Sequence, residues 1–377
     1  MKILHVTPYF FPAWSYGGTP RAVFEIAKRQ TQAGHIVDVL TSDTYDKNSR
    51  LKHFEVIDNI NIYRTKNVSN FITWKFHFVN SFSLPIEVLN ANYDVIHLHE
   101  VRTILNLQVL TKIKAKKYII SPWGTLPYNS NLISIKKIFD LLLLPLLQKK
   151  INVSLAQTLH EKKILSDYKI GKEKTILPLG VDKDFFKSIP SKKESRKKLG
   201  ISEKNTYIFA YLGRFSFAKG LNVLISASKL LKNKTKSEFL LLISGRDDGF
   251  LGTMKKMISS DRLEKYVKII PPLYDKDRLL LYSAADCFIS LPTEYEETST
   301  TCLEALAVGT PVITSYCAEI PLLSRENFIK HVNSNALDAS NAMLESIKEN
   351  HIVDRNKVLN TFDWNKITLQ LTRIYES

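Results

Sequence analysis

The chain has 377 residues, 44% of them hydrophobic, with 53 Lys and Arg against 37 Asp and Glu for a formal charge of +16. That length suits two domains with separate cores, and no stretch is polar enough for long enough to stay unfolded. No apolar run reaches the ~20 residues that span a bilayer, and the N-terminus MKILHVTPYFFP, broken by His5 and Pro8, does not read as a signal peptide.

Along the chain, short β-rich runs alternate with helical patterns. KILHVT, HIVDVLTS, NINIYRT, DVIHLH, YIIS, VSLAQT and TILPLG are the strands of the first half. Between the first two, PRAVFEIAKRQTQAG sets Ala22, Val23, Ile26 and Ala27 at helical spacing and closes at Gly34. The pattern restarts with strands YIFAYLG, EFLLLISG, YVKII, DCFISL and PVITS around helices GLNVLISASKLLKN, KDRLLLYSAA and TTCLEALAVG. The break falls in the polar, Lys-rich stretch 187–206, the expected domain junction. Strands that are apolar throughout and separated by helices belong in parallel sheets covered on both faces. The expected fold is therefore α/β, with two tandem doubly wound parallel-sheet domains over 1–187 and 188–362. Ligands of such sheets bind beyond the carboxyl ends of the strands, and two facing domains would place the site in the cleft between them. Three cysteines, Cys287, Cys302 and Cys317, lie fifteen apart without a Cys-x-x-Cys pair. They argue against a disulfide framework or a zinc site and fit a reducing cytoplasm.

Three loops carry chemistry. After the first strand, PYFFPAWSYGGTPRAV brings Gly17 and Gly18 to a helix start, where bare backbone amides can meet an anion; an ordinary turn fits equally. No Gly-x-Gly-x-x-Gly is present, so a dinucleotide site is poorly supported. YLGRFSFAKGLNVL sets Gly213 at a strand end, with Arg214 and Lys219 near a helix start. They form either a cradle for a diphosphate or two surface cations. EYEETSTTCLEALAVGTPVITS crowds Glu294, Glu296 and Glu297 before a helix and places Glu304 in what reads as its first turn. Thr301 and Glu304 match a capping box. Alternatively, Glu296 and Glu304 each hold sugar hydroxyls, as an acidic residue holds ribose in dinucleotide folds. Two triplets, Asp182–Asp184 and Asp275–Asp277, could suggest metal; the first has no other ligands nearby and the second reads as a helix cap.

In this order the motifs resemble the family 4 retaining glycosyltransferases, whose two Rossmann-like domains form the GT-B architecture. The likeness runs from GGTPRAV and AGHIVDVLTS through YDVIHLHE, ILPLGVDKDFF and YLGRFSFAKGL to Glu296-x7-Glu304 with LEALAVGTPVI. FDWNKITLQLTRIYES matches C-terminal helices that cross back to the first domain, with 363–377 packing on it. The resemblance implies transfer of a hexose-type sugar from a nucleotide-diphosphate sugar, bound by the second domain, to a glycan or lipid-linked acceptor, bound by the first. By position it implies that Glu304 holds ribose hydroxyls, Glu296 those of the transferred sugar, and Arg214 and Lys219 the departing diphosphate. Gly17, Gly18, Gly213 and Thr300 would also line the donor. No metal or other cofactor is implied beyond the nucleotide sugar as co-substrate, because cations and helix starts can stabilise a leaving dianion. Two places depart from the family pattern. Trp123, in SPWGTLPY, stands where relatives carry a His that touches the donor sugar. His99 is then either a site residue or a structural His at a strand end. Glu297, Thr298 and Ser299 replace the usual Gly-Phe-Gly.

The charge excess peaks in residues 112–150, with eight Lys against Asp140 alone. Lys pairs bracket a Leu-rich segment at 134–151 that Pro145 interrupts, and FITWKFHFVNSF (71–82) adds aromatics beside Lys75. Docking on an anionic membrane surface fits both stretches, as do a buried helix and a buried loop. The expectation is a cytoplasmic enzyme, peripheral to the inner face of the cell membrane, in polysaccharide or glycoconjugate biosynthesis. One alternative is a nucleotide-sugar-binding scaffold without turnover. The other is a nucleic-acid-binding protein, which would explain the charge, although no RNA- or DNA-binding motif appears.

Overall fold

A computed structural model describes residues 1–76, 78–79, 81–128, 133–201, 206–349 and 351–377, with only the backbone at 135 and 321. Parts of the stretches 71–82 and 187–206 therefore lie outside the described residues. The chain divides into two units, Met1–Gly180 with Trp364–Ser377, and Val181–Asp363.

The first unit contains β1 (Lys2–Val6), β2 (Ile36–Ser42), β3 (Phe54–Ile57), β4 (Ile60–Thr65), β5 (Tyr93–His99), β6 (Ala115–Ser121), β7 (Val153–Ala156) and β8 (Glu173–Ile176). Their order is β3-β4-β2-β1-β5-β6-β7-β8. Neighbours run parallel except β3, which pairs antiparallel with β4. The central strands are buried on both faces, which is why Ile3, Leu4, Val95 and Ile96 make near-continuous apolar runs. At the edge, β3 alternates, with Phe54 and Val56 exposed. The helices are α1 (Gly18–Gln32), α2 (Asn70–Phe76), α3 (Ile86–Leu89), α4 (Ile104–Lys112), α5 (Ile133–Lys150) and α6 (Leu159–Asp167).

Pro145 does not interrupt the Leu-rich segment as expected, for α5 runs through it. A proline there removes an amide donor, and the turns on either side are held by Leu143 and Leu147, both fully buried in the first unit's core. The opposite side is open: Ile138, Leu141 and Leu142 are 63%, 76% and 65% exposed. The segment is thus neither a wholly buried helix nor a wholly free one. Among the described residues no helix is long and apolar enough to cross a membrane.

The second unit holds β9 (Tyr207–Leu212), β10 (Phe239–Ser244), β11 (Val267–Ile270), β12 (Cys287–Ser290), β13 (Val312–Ser315) and β14 (Ile329–Val332), ordered β11-β10-β9-β12-β13-β14. All pairs are parallel. Its helices are α7 (Lys192–Lys198), α8 (Leu221–Lys234), α9 (Leu251–Ser260), α10 (Arg278–Ala284), α11 (Thr300–Val308), α12 (Ala336–Lys348) and α13 (Arg355–Thr361). Leu221, Leu224, Ile225 and Leu231 put one face of α8 into the core with Ala339, Ala342 and Met343 of α12. Truncating one of these leucines to Ala would cost about 2–5 kcal/mol.

Within the Lys-rich stretch 187–206, Ser191 caps α7, and Arg196 donates to Ala284 O (3.0 Å) and Asp286 Oδ2 (2.6 Å). That anchors α7 in the second unit. The units themselves divide at Gly180–Val181. The last helix, α14 (Trp364–Glu376), belongs to the first unit, where Trp364 packs so closely on Gly180 that a Cβ there would lie 2.3 Å from the indole.

In each sheet the strand order reverses once. The reversal lies between β1 and β5 in the first unit and between β9 and β12 in the second. Connections leave to opposite sides at these points, so a crevice opens beyond the strand ends.

Candidate functional site

In the second unit β9 ends at Leu212, and Gly213 begins the loop that leads through a short 3-10 turn, Phe217–Lys219, to α8. Gly220 closes that turn in the left-handed region (φ 67°), and a Cβ on it would lie 1.7 Å from Leu291 O, just after β12. Only glycine permits both the conformation and the contact. The loops after β9 and β12 therefore meet backbone to backbone, and this brings two expected site residues together. Lys219 Nζ donates to Glu296 Oε1, with both side chains about one-quarter exposed. Arg214 is held separately, donating to Asp248 Oδ2 at 2.7 Å. Asp248 follows β10 and escaped the sequence reading. Each cation assigned to a diphosphate is thus already matched by a carboxylate. Such partly exposed pairs are weak enough for an incoming dianion to compete for the cation. Glu297 is buried, and Tyr295 OH donates to its Oε2 at 3.4 Å.

Ser299 is the N-cap of α11 and makes no side-chain capping bond, so the first amides of the helix, which have no intrahelical partner before that of Leu303, get none from its side chain either. The capping box expected from Thr301 and Glu304 is not formed. Glu304 is the fifth helical residue, not a first-turn one, and its carboxylate points to α10. Arg278 Nη1 reaches Oε1 and Oε2 at 2.6 and 2.7 Å, and Tyr282 OH donates to Oε2 at 2.7 Å. These two residues were missed because their partner lies 26 and 22 positions away. The one available signal was the helical spacing of Arg278 and Tyr282, which puts both on one face of α10. Burial alone would depress the Arg278 guanidinium, but Glu304 reverses that and raises it. Burial and then Glu304 push the Tyr282 phenol well above its usual range, so it stays a donor. Asp275–Asp277 is also not a side-chain cap: it forms a 3-10 turn, and Asp277 makes no capping bond to α10. Asp275 contributes its carbonyl to Arg278 Nε instead, at 3.1 Å.

The remaining expected residues, Gly17, Gly18, His99 and Trp123, lie in the first unit. Gly17 takes φ 119° at the N-cap of α1, with open space where a Cβ would be, and Gly18 is the first helical residue. Parallel register sets His5 of β1 opposite His97 of β5, and His99 follows at the strand end. Their hydrogen bonds fix the tautomers. Gln30 Oε1 can only accept, so His5 Nε2 donates to it (2.7 Å), and His5 Nδ1 must accept from His99 Nε2 (2.9 Å). His99 Nδ1 then accepts from the Trp123 indole N–H (3.0 Å). His97 bonds Tyr375 OH (2.6 Å) and Ser121 Oγ (2.8 Å). Burial holds all three imidazoles neutral, lowering His5 to about 4 and the other two well below their ordinary value.

Among the described residues these three histidines are the group close enough to hold a metal, with one ring nitrogen of each within 4.8 Å of the others. All six ring nitrogens are committed to the hydrogen bonds above, so an ion would have to break that network. Trp123 itself sits in the left-handed region (φ 55°), a conformation costly for a bulky residue. Its loop is clamped: Gly124 N donates to Glu161 Oε1 (2.8 Å), and Arg102 donates to Thr125 O and Leu126 O (2.8 and 2.9 Å).

Two parallel-sheet α/β units of this kind make up the GT-B class of fold. Anabaena HepE, solved in complex with UDP and glucose, shares it at a TM-score of 0.72 over 100% of both chains, with 15% identity. Residues 16–185 match the family model Glycosyltransferase Family 4, and residues 191–356 match Glycosyl transferases group 1. The two matches together take in most of the sequence, and the chain belongs to the family 4 glycosyltransferases. An uncharacterized glycosyltransferase of Methanocaldococcus jannaschii is 24% identical over 100% of this chain and 98% of its own. The phosphatidyl-myo-inositol mannosyltransferase of Mycobacterium tuberculosis is 23% identical over 100% of this chain and 97% of its own.

Proposed function

We propose that the protein is a retaining glycosyltransferase that moves a hexose-type sugar from a nucleotide-diphosphate sugar to a glycan or lipid-linked acceptor of cell-surface polysaccharide or glycoconjugate synthesis. The observation that carries this reading is the Lys219–Glu296 pair at the β9/β12 reversal, in the loop that leads into the uncapped start of α11. Cation, carboxylate and open amides are what a diphosphate sugar needs: the first and last for phosphate oxygens, the second for sugar hydroxyls. On binding, Lys219 exchanges Glu296 for the diphosphate, and Arg214 exchanges Asp248. The released Glu296 accepts hydroxyls of the transferred sugar, and Glu304 accepts those of the ribose. The bond from the anomeric carbon to the phosphate oxygen breaks as the acceptor oxygen attacks from the same face. The leaving diphosphate takes the acceptor proton, and attack on the face from which it departs retains the configuration. Lys219, Arg214 and helix-start amides stabilise the developing charge in place of a metal. Trp123 gives its indole N–H inward to His99, so its loop offers a ring face where relatives offer an imidazole.

We place this activity in the cytoplasm at the inner face of the membrane. Support comes from the exposed Ile138, Leu141 and Leu142 between the Lys pairs of α5, and from Phe71 and Phe76 of α2, also exposed, beside Lys75. Apolar side chains rimmed by cations suit an anionic lipid surface. The name of the mycobacterial mannosyltransferase, which acts on a phosphatidylinositol, agrees with a lipid acceptor. Sedimentation with vesicles tests the location: binding should rise with phosphatidylglycerol content and fall with salt, and equal pelleting without anionic lipid at low salt would count against it. Turnover of UDP-, GDP- and dTDP-sugars, with and without acceptor, tests the activity. Slow donor hydrolysis alone already separates an enzyme from a binding scaffold.

A further inference from the structure

Glu304 is held by more than its own helix. Arg278 and Tyr282 stand one turn apart on α10 and both contact its carboxylate. Arg278 is in turn fixed by Asp275 O (3.1 Å) and by the ring of Phe185, 5.2 Å from its guanidinium carbon. Tyr282 is fully buried, and its carbonyl accepts from Thr310 Oγ1 at 2.8 Å. The side chains of Arg278 and Glu304 are only 14% and 10% exposed. A buried ion pair is poor support for a fold, since well-packed apolar residues of similar volume commonly serve as well. Its value lies in geometry. A carboxylate has about four acceptor lobes; one is taken by Tyr282 and two face Arg278, which leaves a lobe on Oε1 for a ligand hydroxyl.

We propose that Arg278 and Tyr282 are positioning residues that keep the Glu304 carboxylate aimed at the ribose hydroxyls of a nucleoside diphosphate, a proposal that rests on the ribose role given to Glu304 above. Neither residue needs to touch the ligand. Without them the carboxylate would swing between rotamers, and the ribose would lose its fixed acceptor while base and phosphate contacts remained. The loss should therefore appear in the preference for ribose over a sugar lacking hydroxyls, not simply in affinity.

The test is calorimetric titration of the full chain with UDP, GDP and ADP and with the 2′,3′-dideoxy form of whichever binds. Wild type should prefer the ribonucleotide, and the double variant Arg278→Met/Glu304→Leu, which removes the pair without stranding a charge, should lose that preference. Tyr282→Phe and Arg278→Gln should each lower the preference about fivefold or more, as expected for a loosened hydrogen bond. If wild type shows no preference, or the double variant keeps it, the ribose role itself fails. If those two behave as expected but Tyr282→Phe and Arg278→Gln keep the full preference, the positioning role is overturned and the ribose role stands. Tyr282→Phe removes a single oxygen, so it carries the test even if Arg278→Gln does not fold.

Discussion

The two sheets put opposite chemistry at the same topological place. At the β1/β5 reversal, polar groups are buried, neutral and locked into one directed hydrogen-bond chain from Trp123 to Gln30. At the β9/β12 reversal they are charged, partly exposed and paired, Lys219 with Glu296 and Arg214 with Asp248. A neutral locked network resists change in pH and conformation. Partly exposed ion pairs can change partners when an anion arrives. On the proposed function, ligand exchange falls to the second unit and a fixed framework to the first.

The largest effect that would break this comparison concerns Glu304, a buried carboxylate of the second unit that is paired with Arg278. Glu304→Ala strands Arg278, and should cost about 3–5 kcal/mol. Arg278→Met/Glu304→Leu should come back close to wild type. Denaturation followed by far-ultraviolet circular dichroism measures both, and a mild Glu304→Ala would mean the pair is wetter than it looks.

Next is the pH response of the first unit. The three imidazoles of its network have lowered folded values, as do those of His35 and His160, so as the pH falls from 6.5 toward 4.5 the unfolded chain binds protons that the folded chain refuses, and stability falls. Glu161, and Glu100 although it keeps some surface, are raised to about 7 by desolvation. They act oppositely, favouring the folded state as pH falls toward 4.5. The lowered imidazoles outnumber the raised carboxyls, so the first unit should lose stability as the pH drops below 6.5. All four tryptophans, Trp14, Trp74, Trp123 and Trp364, lie in the first unit, so fluorescence-detected unfolding at pH 7, 6 and 5 reads it alone. Stability that is flat or rises over that range would show the imidazoles are not held neutral.

A smaller effect sharpens the contrast from each side. Trp123→Phe removes the donor to a buried His99 nitrogen and should cost about 1–3 kcal/mol. Arg214→Ala breaks a pair whose side chains are 42% and 35% exposed, and should change stability by no more than about 1 kcal/mol while weakening nucleotide binding. Equal penalties for the two would erase the distinction.

The second site was more legible in the sequence than the first, for a physical reason. Strand, glycine, cation and helix start at Gly213–Gly220 are neighbours in the chain, as are Glu296 and Thr300, so local pattern exposes them. Glu304 was legible as a residue but not in its surroundings, because Arg278 and Tyr282 arrive from another helix and a capping box explained the same letters. The histidine network was not legible at all. It depends on β1 and β5 lying side by side in one register, with residues 94 apart forming its central bond. Pro145 misled in the other direction, since tertiary packing of Leu143 and Leu147 outweighed a local helix breaker.

The most direct measurement is release of nucleoside diphosphate from UDP-, GDP- and dTDP-sugars by wild type and by Lys219→Ala, with thermal stability recorded alongside. The account predicts release from at least one donor by wild type, and a loss of tenfold or more in Lys219→Ala at nearly unchanged stability, since a partly exposed pair contributes about 1 kcal/mol or less. Equal rates in the two proteins, or no release from any donor by a wild type that still binds nucleotide, would contradict it.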